Sequence, residues 1–158
     1  MQAYICGYYG KGWGAKVIRW FSFSKFCHVS YLFDNGVGAP EEIEAIQGKG
    51  VHSQRFNDSS SNHVLFQIPC TVTQAENLHM WATAQLKKKY DWMGLRAFYR
   101  RKRTENPNKW FCSELVAAGM KLIDLPLLRK EAWKMDPDLV CASTVISPIG
   151  KDPEHWSL

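Results

Sequence analysis

Short apolar runs separated by turn signals occupy the first 70 positions of the chain. Strand-like segments lie at 3–9, 28–33, 42–46, 51–56 and 63–68. Apolar and polar positions alternate along 42–46, which is typical of a strand with one buried face. An Asp-Asn-Gly turn at 34–36 and a Gly-Lys-Gly turn at 48–50 separate consecutive runs, and such turns favour hairpins. The pattern predicts a group of antiparallel strands.

The hydrophobic period lengthens after position 70, where helices replace strands. Thr73 and Glu76 have the spacing of a capping box and predict a helix that runs to about Tyr90. Helical spacing also covers three further segments, 15–21, 91–99 and 112–123. From Pro137 onwards we expect an irregular tail with one short strand.

Strands grouped ahead of helices indicate an α+β fold, in which an antiparallel sheet packs against helices. The chain has 158 residues and a hydrophobic fraction of 46%, which is enough for one core without stabilising cross-links. No internal repeat divides it. We therefore predict a single domain that spans residues 1–158.

The N-terminal sequence and the cysteines bear on the compartment. The first residues lack the basic start and long apolar run of a signal peptide, and no stretch approaches the roughly 20 apolar residues of a membrane span. We therefore expect a cytoplasmic protein without a transmembrane segment. The five cysteines are Cys6, Cys27, Cys70, Cys112 and Cys141. Because none belongs to a Cys-x-x-Cys pair, we expect reduced thiols, no zinc site and no cofactor.

The net charge of +5 is concentrated in two basic runs. They are Lys87, Lys88 and Lys89, and Arg100, Arg101, Lys102 and Arg103. One interpretation is a solvated helix end and a polar loop, and the other is a patch for an anionic surface or polymer. No nucleic-acid-binding motif accompanies either run, so the sequence argues against nucleic acid as a partner.

Cys112 lies at the predicted start of a helix, where its chemistry can differ from that of the other thiols. The positive end of a helix dipole favours thiolate over thiol. The N–H groups of the first turn, which have no partner within the helix, can also bind an oxyanion beside the sulfur. We expect Cys112 to lie outside the apolar face of this helix, although the local sequence is equally compatible with a core cysteine.

His28 opens a predicted strand and is the candidate base for this thiol. If the strands on either side of the 34–36 turn pair, Glu44 lies near His28 and can orient its imidazole and stabilise its charged form. Glu41, Glu42 and His52 are rival third residues. The remaining histidines, His63, His79 and His155, fit no metal motif and are interpreted as surface or strand residues.

Four short motifs occur in a fixed order along the chain. They are His28-Val29-Ser30, Ile43-Glu44-Ala45, Tyr90-Asp91-Trp92-x-Gly94 and Phe111-Cys112-Ser113-Glu114-Leu115. This order resembles the circularly permuted NlpC-type papain-like superfamily, in which the histidine strand precedes the cysteine helix. The YiiX-like branch is the most similar part of it, and lecithin–retinol acyltransferase is more distant. The resemblance covers most of the chain, with two departures. Cys27 stands where such proteins often have serine, and we expect no secretion or lipoprotein signal of the kind that many bacterial members carry.

The resemblance implies a permuted papain-like fold with Cys112 as nucleophile, His28 as general base and Glu44 as the residue that orients the base. The implied activity is hydrolysis of an amide or ester through a thioacyl-enzyme intermediate, on peptidoglycan-type peptides or lipid-linked acyl groups. Acyl transfer, including action on phospholipids, is the nearest alternative. A catalytically idle binding module on the same fold is the alternative from a different class.

Overall fold

Six antiparallel strands form the main sheet of the computed structural model, which describes residues 1–9, 25–58, 62–91 and 108–149. In chain order they are β1 (Gln2–Tyr8), β2 (His28–Asp34), β3 (Glu41–Ile46), β4 (Gly50–Arg55), β5 (His63–Gln67) and β8 (Ser147–Ile149). Their order across the sheet is β4-β3-β2-β1-β5-β8, so β2 and β1 lie at its centre. All five predicted strands occur, each within one residue of its predicted ends.

A short parallel pair, β6 (Lys89–Tyr90) and β7 (Lys109–Trp110), lies beside β4. The helices are α1 (Val72–Ala84), α2 (Cys112–Leu122) and α3 (Pro137–Cys141), with a 3₁₀ turn at Ala132–Lys134. The architecture is therefore α+β with an antiparallel sheet, as the hydrophobic pattern predicts. Among the described residues, no helix has both the length and the apolar composition needed to cross a bilayer.

The helices pack on one face of the sheet and build the core with it. Side chains alternate along β2, so Val29 and Tyr31 face the helices while Ser30 faces the opposite side, where its hydroxyl donates to Glu42. Tyr31 is fully buried, and its hydroxyl donates a 2.5 Å hydrogen bond to the carbonyl oxygen of Val116 in α2. This strand therefore anchors the core with one residue and presents polar side chains with the next.

Helix α2 approaches the sheet closely at Gly119. A Cβ atom there would lie 2.5 Å from the Tyr31 hydroxyl oxygen and 2.7 Å from the ring of Trp81. A larger residue would therefore push α2 away from β2. Because Cys112 begins the same helix, the small size of Gly119 helps to keep Cys112 close to the sheet.

Helix α1 begins earlier than the sequence pattern predicts. Its N-cap is Thr71, whose Oγ1 accepts a 3.2 Å hydrogen bond from the N–H of Gln74. The Gln74 side chain in turn accepts a 3.0 Å hydrogen bond from the N–H of Thr71. The predicted capping box of Thr73 and Glu76 is therefore wrong, because a pair with the same spacing two residues earlier forms the cap.

Helix α1 also ends at Ala84, well before the predicted end near Tyr90. Three residues later the chain adopts a φ of 68° at Lys87, which a helix does not allow. The N–H of Lys87 donates to the carbonyl of Val51, and the N–H of Val51 donates to the carbonyl of Lys88, each at 2.8 Å. Pairing with the backbone of β4 thus replaces the last predicted turns of the helix.

The sequence pattern does not predict helix α3. It predicts an irregular tail with one short strand, and that strand occurs as β8. The Asp136 carboxylate accepts a 2.8 Å hydrogen bond from the N–H of Leu139, and Pro137 occupies the first helical position. An Asp-Pro start is a known helix signal, but five residues are too few to show periodicity. The helix predicted at 15–21 lies outside the described residues, as does all but the first residue of the helix predicted at 91–99.

Candidate active site

Three elements bring the predicted site residues together. His28 is the first residue of β2, Glu44 lies within β3, and Cys112 is the first residue of α2. Strands β2 and β3 are neighbours in the sheet, and α2 packs across both of them. The His28 ring hydrogen-bonds the Cys112 thiol, and its Nε2 lies 2.5 Å from Oε2 of Glu44. The three side chains therefore form one continuous hydrogen-bonded chain.

Main-chain groups from two elements hold the Cys112 sulfur. Phe111 is the N-cap of α2, and its side chain makes no hydrogen bond to the first turn. The N–H groups of Ser113 in α2 and Val29 in β2 donate to the sulfur. Cys112 is only 4% exposed and belongs to the hydrophobic core. The expectation that it lies outside the buried face is therefore wrong, since the thiol turns inwards to reach His28.

The surroundings of Cys112 favour its thiolate form. Burial alone raises the pKa of a thiol, because the charged form is poorly solvated. The hydrogen bond and the charge of His28, together with the two main-chain N–H donors, outweigh burial and lower the pKa of Cys112. By contrast, burial raises the pKa of Cys6 to about 12 and also raises the pKa of Cys70. Of these three thiols, Cys112 is the one whose environment promotes ionisation.

His28 is the positive partner of this thiolate. Burial lowers the pKa of His28, but hydrogen bonds to Cys112 and Glu44, and the negative charges of both, raise it to about 10. Because Nε2 is bound to Glu44, the ring presents Nδ1 to the thiol. The pair is therefore stabilised as thiolate and imidazolium, with a proton on His28 that can be given to a leaving group.

Both oxygens of the Glu44 carboxylate have partners. Oε2 binds His28, while Oε1 lies 3.3 Å from Nε2 of His52 and accepts a 3.1 Å hydrogen bond from Nε2 of Gln54. Burial raises the pKa of Glu44, but the hydrogen bond and charge of His28 and the charges of His52 and Lys49 lower it by more. The carboxylate is therefore held ionised and in a fixed orientation.

The two rival carboxylates have other partners. Glu41 binds His79 of α1, with 2.7 Å between Oε2 and the imidazole Nε2. Glu42 is buried and accepts hydrogen bonds from the Tyr8 hydroxyl at 2.5 Å and the Ser30 hydroxyl at 2.7 Å. Of the three glutamates in β3, Glu44 is thus the one placed against the candidate base.

Strand β4 contributes two residues to the back of the site. His52 lies opposite Glu44 and Gln54 lies opposite Glu42 in the antiparallel register. The Gln54 amide bridges the two carboxylates, with hydrogen bonds of 3.0 Å to Glu42 and 3.1 Å to Glu44. His52 is predicted as a rival third residue, whereas Gln54 is not predicted. Alternation along β4 is the signal that indicates Gln54, because the side chains at 52 and 54 lie on the same face of the sheet as those at 44 and 42.

The other predicted features lie beside the site or outside the described residues. All five cysteines are free, and the Cys27 thiol donates a 3.2 Å hydrogen bond to the carbonyl of Tyr8. His63 pairs with Asp58 at 3.1 Å. The first basic run is not a helix end as one interpretation has it, because α1 ends at Ala84, before Lys87, Lys88 and Lys89. The run at 100–103 and His155 are outside the described residues.

Comparisons with known proteins bear on the fold. No protein-family model and no curated protein matches the sequence. A solved structure, described as the metalloprotein YiiX from Escherichia coli O157:H7, is similar with a TM-score of 0.66 and 16% sequence identity. The match covers 96% of this chain and 97% of that chain. The chain therefore has an α+β fold similar to that of YiiX over nearly its whole length.

Proposed function

We propose that the chain is a cysteine hydrolase that cleaves an amide or ester bond through a thioacyl-enzyme intermediate. The observation that carries the proposal is the position of the His28 ring, between the Cys112 thiol and the Glu44 carboxylate. The order of these residues along the chain supports a permuted papain-like arrangement, because the base strand precedes the nucleophile helix. The likeness to YiiX supports the YiiX-like part of this resemblance, an α+β fold with an antiparallel sheet.

In the proposed reaction the Cys112 thiolate attacks the substrate carbonyl carbon and forms a C–S bond, and the carbonyl electron pair moves to oxygen. First-turn N–H groups of α2 stabilise the oxyanion. When the oxyanion collapses, the bond to the amine or alcohol breaks and the His28 imidazolium gives its proton to the leaving group. Neutral His28 then takes a proton from water, whose oxygen attacks the thioester and releases the acid and the thiolate.

Glu44 acts in this proposal as a positioning residue. It accepts from Nε2 of His28 and so directs Nδ1 towards the sulfur. Its negative charge also stabilises the imidazolium, which is present before the attack and forms again when His28 takes a proton from water. His52 and Gln54 hold the second oxygen of Glu44 and restrict its rotation.

The description of YiiX as a metalloprotein makes the donor groups of this site worth testing against a metal ion. Among the residues that the structure describes, no three His, Cys, Asp or Glu side chains are arranged to hold one. His28 and His52 both direct Nε2 at Glu44. The donor set therefore does not fit a metal, and the proposed reaction contains no step through one.

Selective alkylation tests the nucleophile. The native protein is treated with limiting iodoacetamide near neutral pH, and the adducts are mapped by mass spectrometry. Cys70 is the internal control, because it is more exposed than Cys112 while burial raises its pKa. We expect Cys112 to react faster than Cys70 and to lose this advantage in His28→Ala. If Cys112 reacts no faster than Cys70 in the native protein, the catalytic proposal fails.

The two possible fates of the thioacyl intermediate are separated by a substrate screen. Peptide amides and acyl esters are offered with and without an added amine or alcohol acceptor, and the products are identified by mass spectrometry. Release of free acid supports hydrolysis, whereas acylated acceptor supports acyl transfer. A selectively reactive Cys112 that turns over none of these compounds would favour the idle binding module.

A further inference from the structure

Four lysines converge at one edge of the molecule, close to the candidate active site. Lys49 lies in the turn between β3 and β4, directly before Gly50. The main chain of Gly50 is in close contact with the next segment, since a Cβ there would lie 2.2 Å from the carbonyl oxygen of Lys88. Lys87 and Lys89 flank that carbonyl, and Lys89 is paired with Lys109 in the parallel ladder of β6 and β7. We call Lys49, Lys87, Lys89 and Lys109 the lysine patch.

In the described part of the chain, no carboxylate forms an ion pair with the lysine patch. Lys49, Lys87 and Lys89 are exposed and Lys109 is half-buried. Within the described ranges, none of the four ammonium groups lies within 4.0 Å of a carboxylate oxygen. Like charges gathered on one edge cost folding free energy, so this grouping points to an anionic ligand.

The lysine patch adjoins the reactive groups. The charge of Lys49 contributes to the lowered pKa of Glu44. Lys109 precedes Cys112 by three residues, a span of about 10 Å in extended chain. Lys89 precedes Tyr90, whose pKa is raised by burial and by the negative charge of Cys112. The short segment from Lys109 to Cys112 therefore connects the patch directly to the residue that carries the thiol.

We propose that the lysine patch is a subsite for a phosphate group of the substrate whose carbonyl Cys112 attacks. A phosphate monoester carries up to two negative charges, and lysine binds phosphate as a mobile point charge. Four ammonium groups suit such a ligand better than a single carboxylate. The inference rests on the proposed function, since it assigns part of the substrate of that same site.

Two alkylating reagents of equal size and different charge test the subsite. Iodoacetate is anionic and iodoacetamide is neutral, so the ratio of their rate constants at Cys112 reports the local potential. The patch variant carries Lys49→Gln, Lys89→Gln and Lys109→Gln. The control carries Lys121→Gln, Arg129→Gln and Lys130→Gln, which also removes three positive charges, from the last turn of α2 and the segment that follows it.

At low ionic strength we expect the iodoacetate-to-iodoacetamide ratio to fall about three- to tenfold in the patch variant and to change less than twofold in the control. Added salt should reduce the difference in this ratio between the native protein and the patch variant. Equal ratios in both variants overturn the inference. The proposed function fails by a different result, namely an iodoacetamide rate at Cys112 no greater than at Cys70, so the two failures are distinguishable.

Protection experiments identify the source of the phosphate. Inorganic phosphate, phosphatidylglycerol vesicles and phosphatidylcholine vesicles are each added at matched ionic strength, and the alkylation of Cys112 by iodoacetate is followed. Protection by inorganic phosphate in the native protein, but not in the patch variant, supports a soluble phosphate ester. Protection by phosphatidylglycerol vesicles alone supports a lipid headgroup. If none protects, or if the patch variant is protected equally, the lysine patch is not a phosphate subsite.

Discussion

Removing the charge of Glu44 tests how the candidate site activates its thiol. Glu44→Gln keeps the length of the side chain and an oxygen for the His28 ring, but it removes the negative charge. In the native protein the pKa of His28 rises from 6.5 to about 10. This rise corresponds to about 5 kcal/mol in favour of the imidazolium, divided between Cys112 and Glu44.

The contribution of Glu44 follows from its geometry. A hydrogen bond to a charged group contributes about 1.5–3 kcal/mol. The Glu44 side chain is 6% exposed, so solvent screens this interaction little. Losing it lowers the pKa of His28 and, because the imidazolium stabilises the thiolate, raises the apparent pKa of Cys112. Below that pKa, alkylation of Cys112 should be about 10- to 100-fold slower.

The assay is the rate of Cys112 alkylation by iodoacetamide as a function of pH. Glu41→Gln is the matched control, because it removes a carboxylate–imidazole pair from the same strand without touching the site. We expect Glu44→Gln to move the profile to higher pH and Glu41→Gln to overlay the native profile. Overlaid native and Glu44→Gln profiles, or equal shifts in both variants, would refute the argument.

Three further outcomes are expected from the same structure. Folding lowers the pKa of Glu44 below 4.5, so the stability that Glu44 contributes is complete above that pH and is lost as the pH falls through the folded value. Between about pH 6 and 3, the melting temperature of the native protein should therefore fall more steeply than that of Glu44→Gln. Gly50→Ala and Gly48→Ala both place alanine at positive φ, but only the alanine at position 50 contacts the carbonyl of Lys88. Urea unfolding should therefore show Gly50→Ala to be less stable than Gly48→Ala by about 1–3 kcal/mol, and equal stabilities would contradict this contact. Cys27→Ser should leave the alkylation rate of Cys112 within about twofold of native, since its thiol bonds to a main-chain carbonyl; a larger loss would implicate the Cys27 thiol in the site.

The strands are predictable from sequence because their information is local. The alternation in β3 and the turns on either side of it appear directly in the residue pattern, and β3 forms within one residue of its prediction. Helix ends are less predictable, because tertiary contacts decide between local signals. Thr71 and Thr73 have the same capping pattern, and Gln74 at the observed cap also donates a 2.8 Å hydrogen bond to the carbonyl of Ile123. No pattern confined to α1 contains that contact.

The candidate site likewise combines features that can be predicted from the sequence with features that depend on tertiary contacts. Cys112, His28 and Glu44 are predicted from the order of four short motifs, since the local sequence around Cys112 fits a core cysteine equally well. The inward turn of the thiol is not predicted, since it depends on the N–H of Val29 in a distant strand. The Gln54 amide escapes sequence analysis for a similar reason, because only the register of β3 and β4 places it between two carboxylates.

The hydrogen bond from Tyr31 to Val116 joins positions 85 residues apart in the chain. Tyr31 follows His28 by three residues and Val116 follows Cys112 by four. The thiol therefore lies beside its base only when β2 and α2 have closed a loop of about this length. Contacts between distant parts of a chain form slowly in folding, because the entropy of loop closure is lost before they are gained. The environment that lowers the pKa of Cys112 therefore depends on a contact between distant parts of the chain. A chain in which β2 and α2 have not packed together would carry Cys112 as an ordinary cysteine, because His28 and the N–H of Val29 would not lie beside its sulfur.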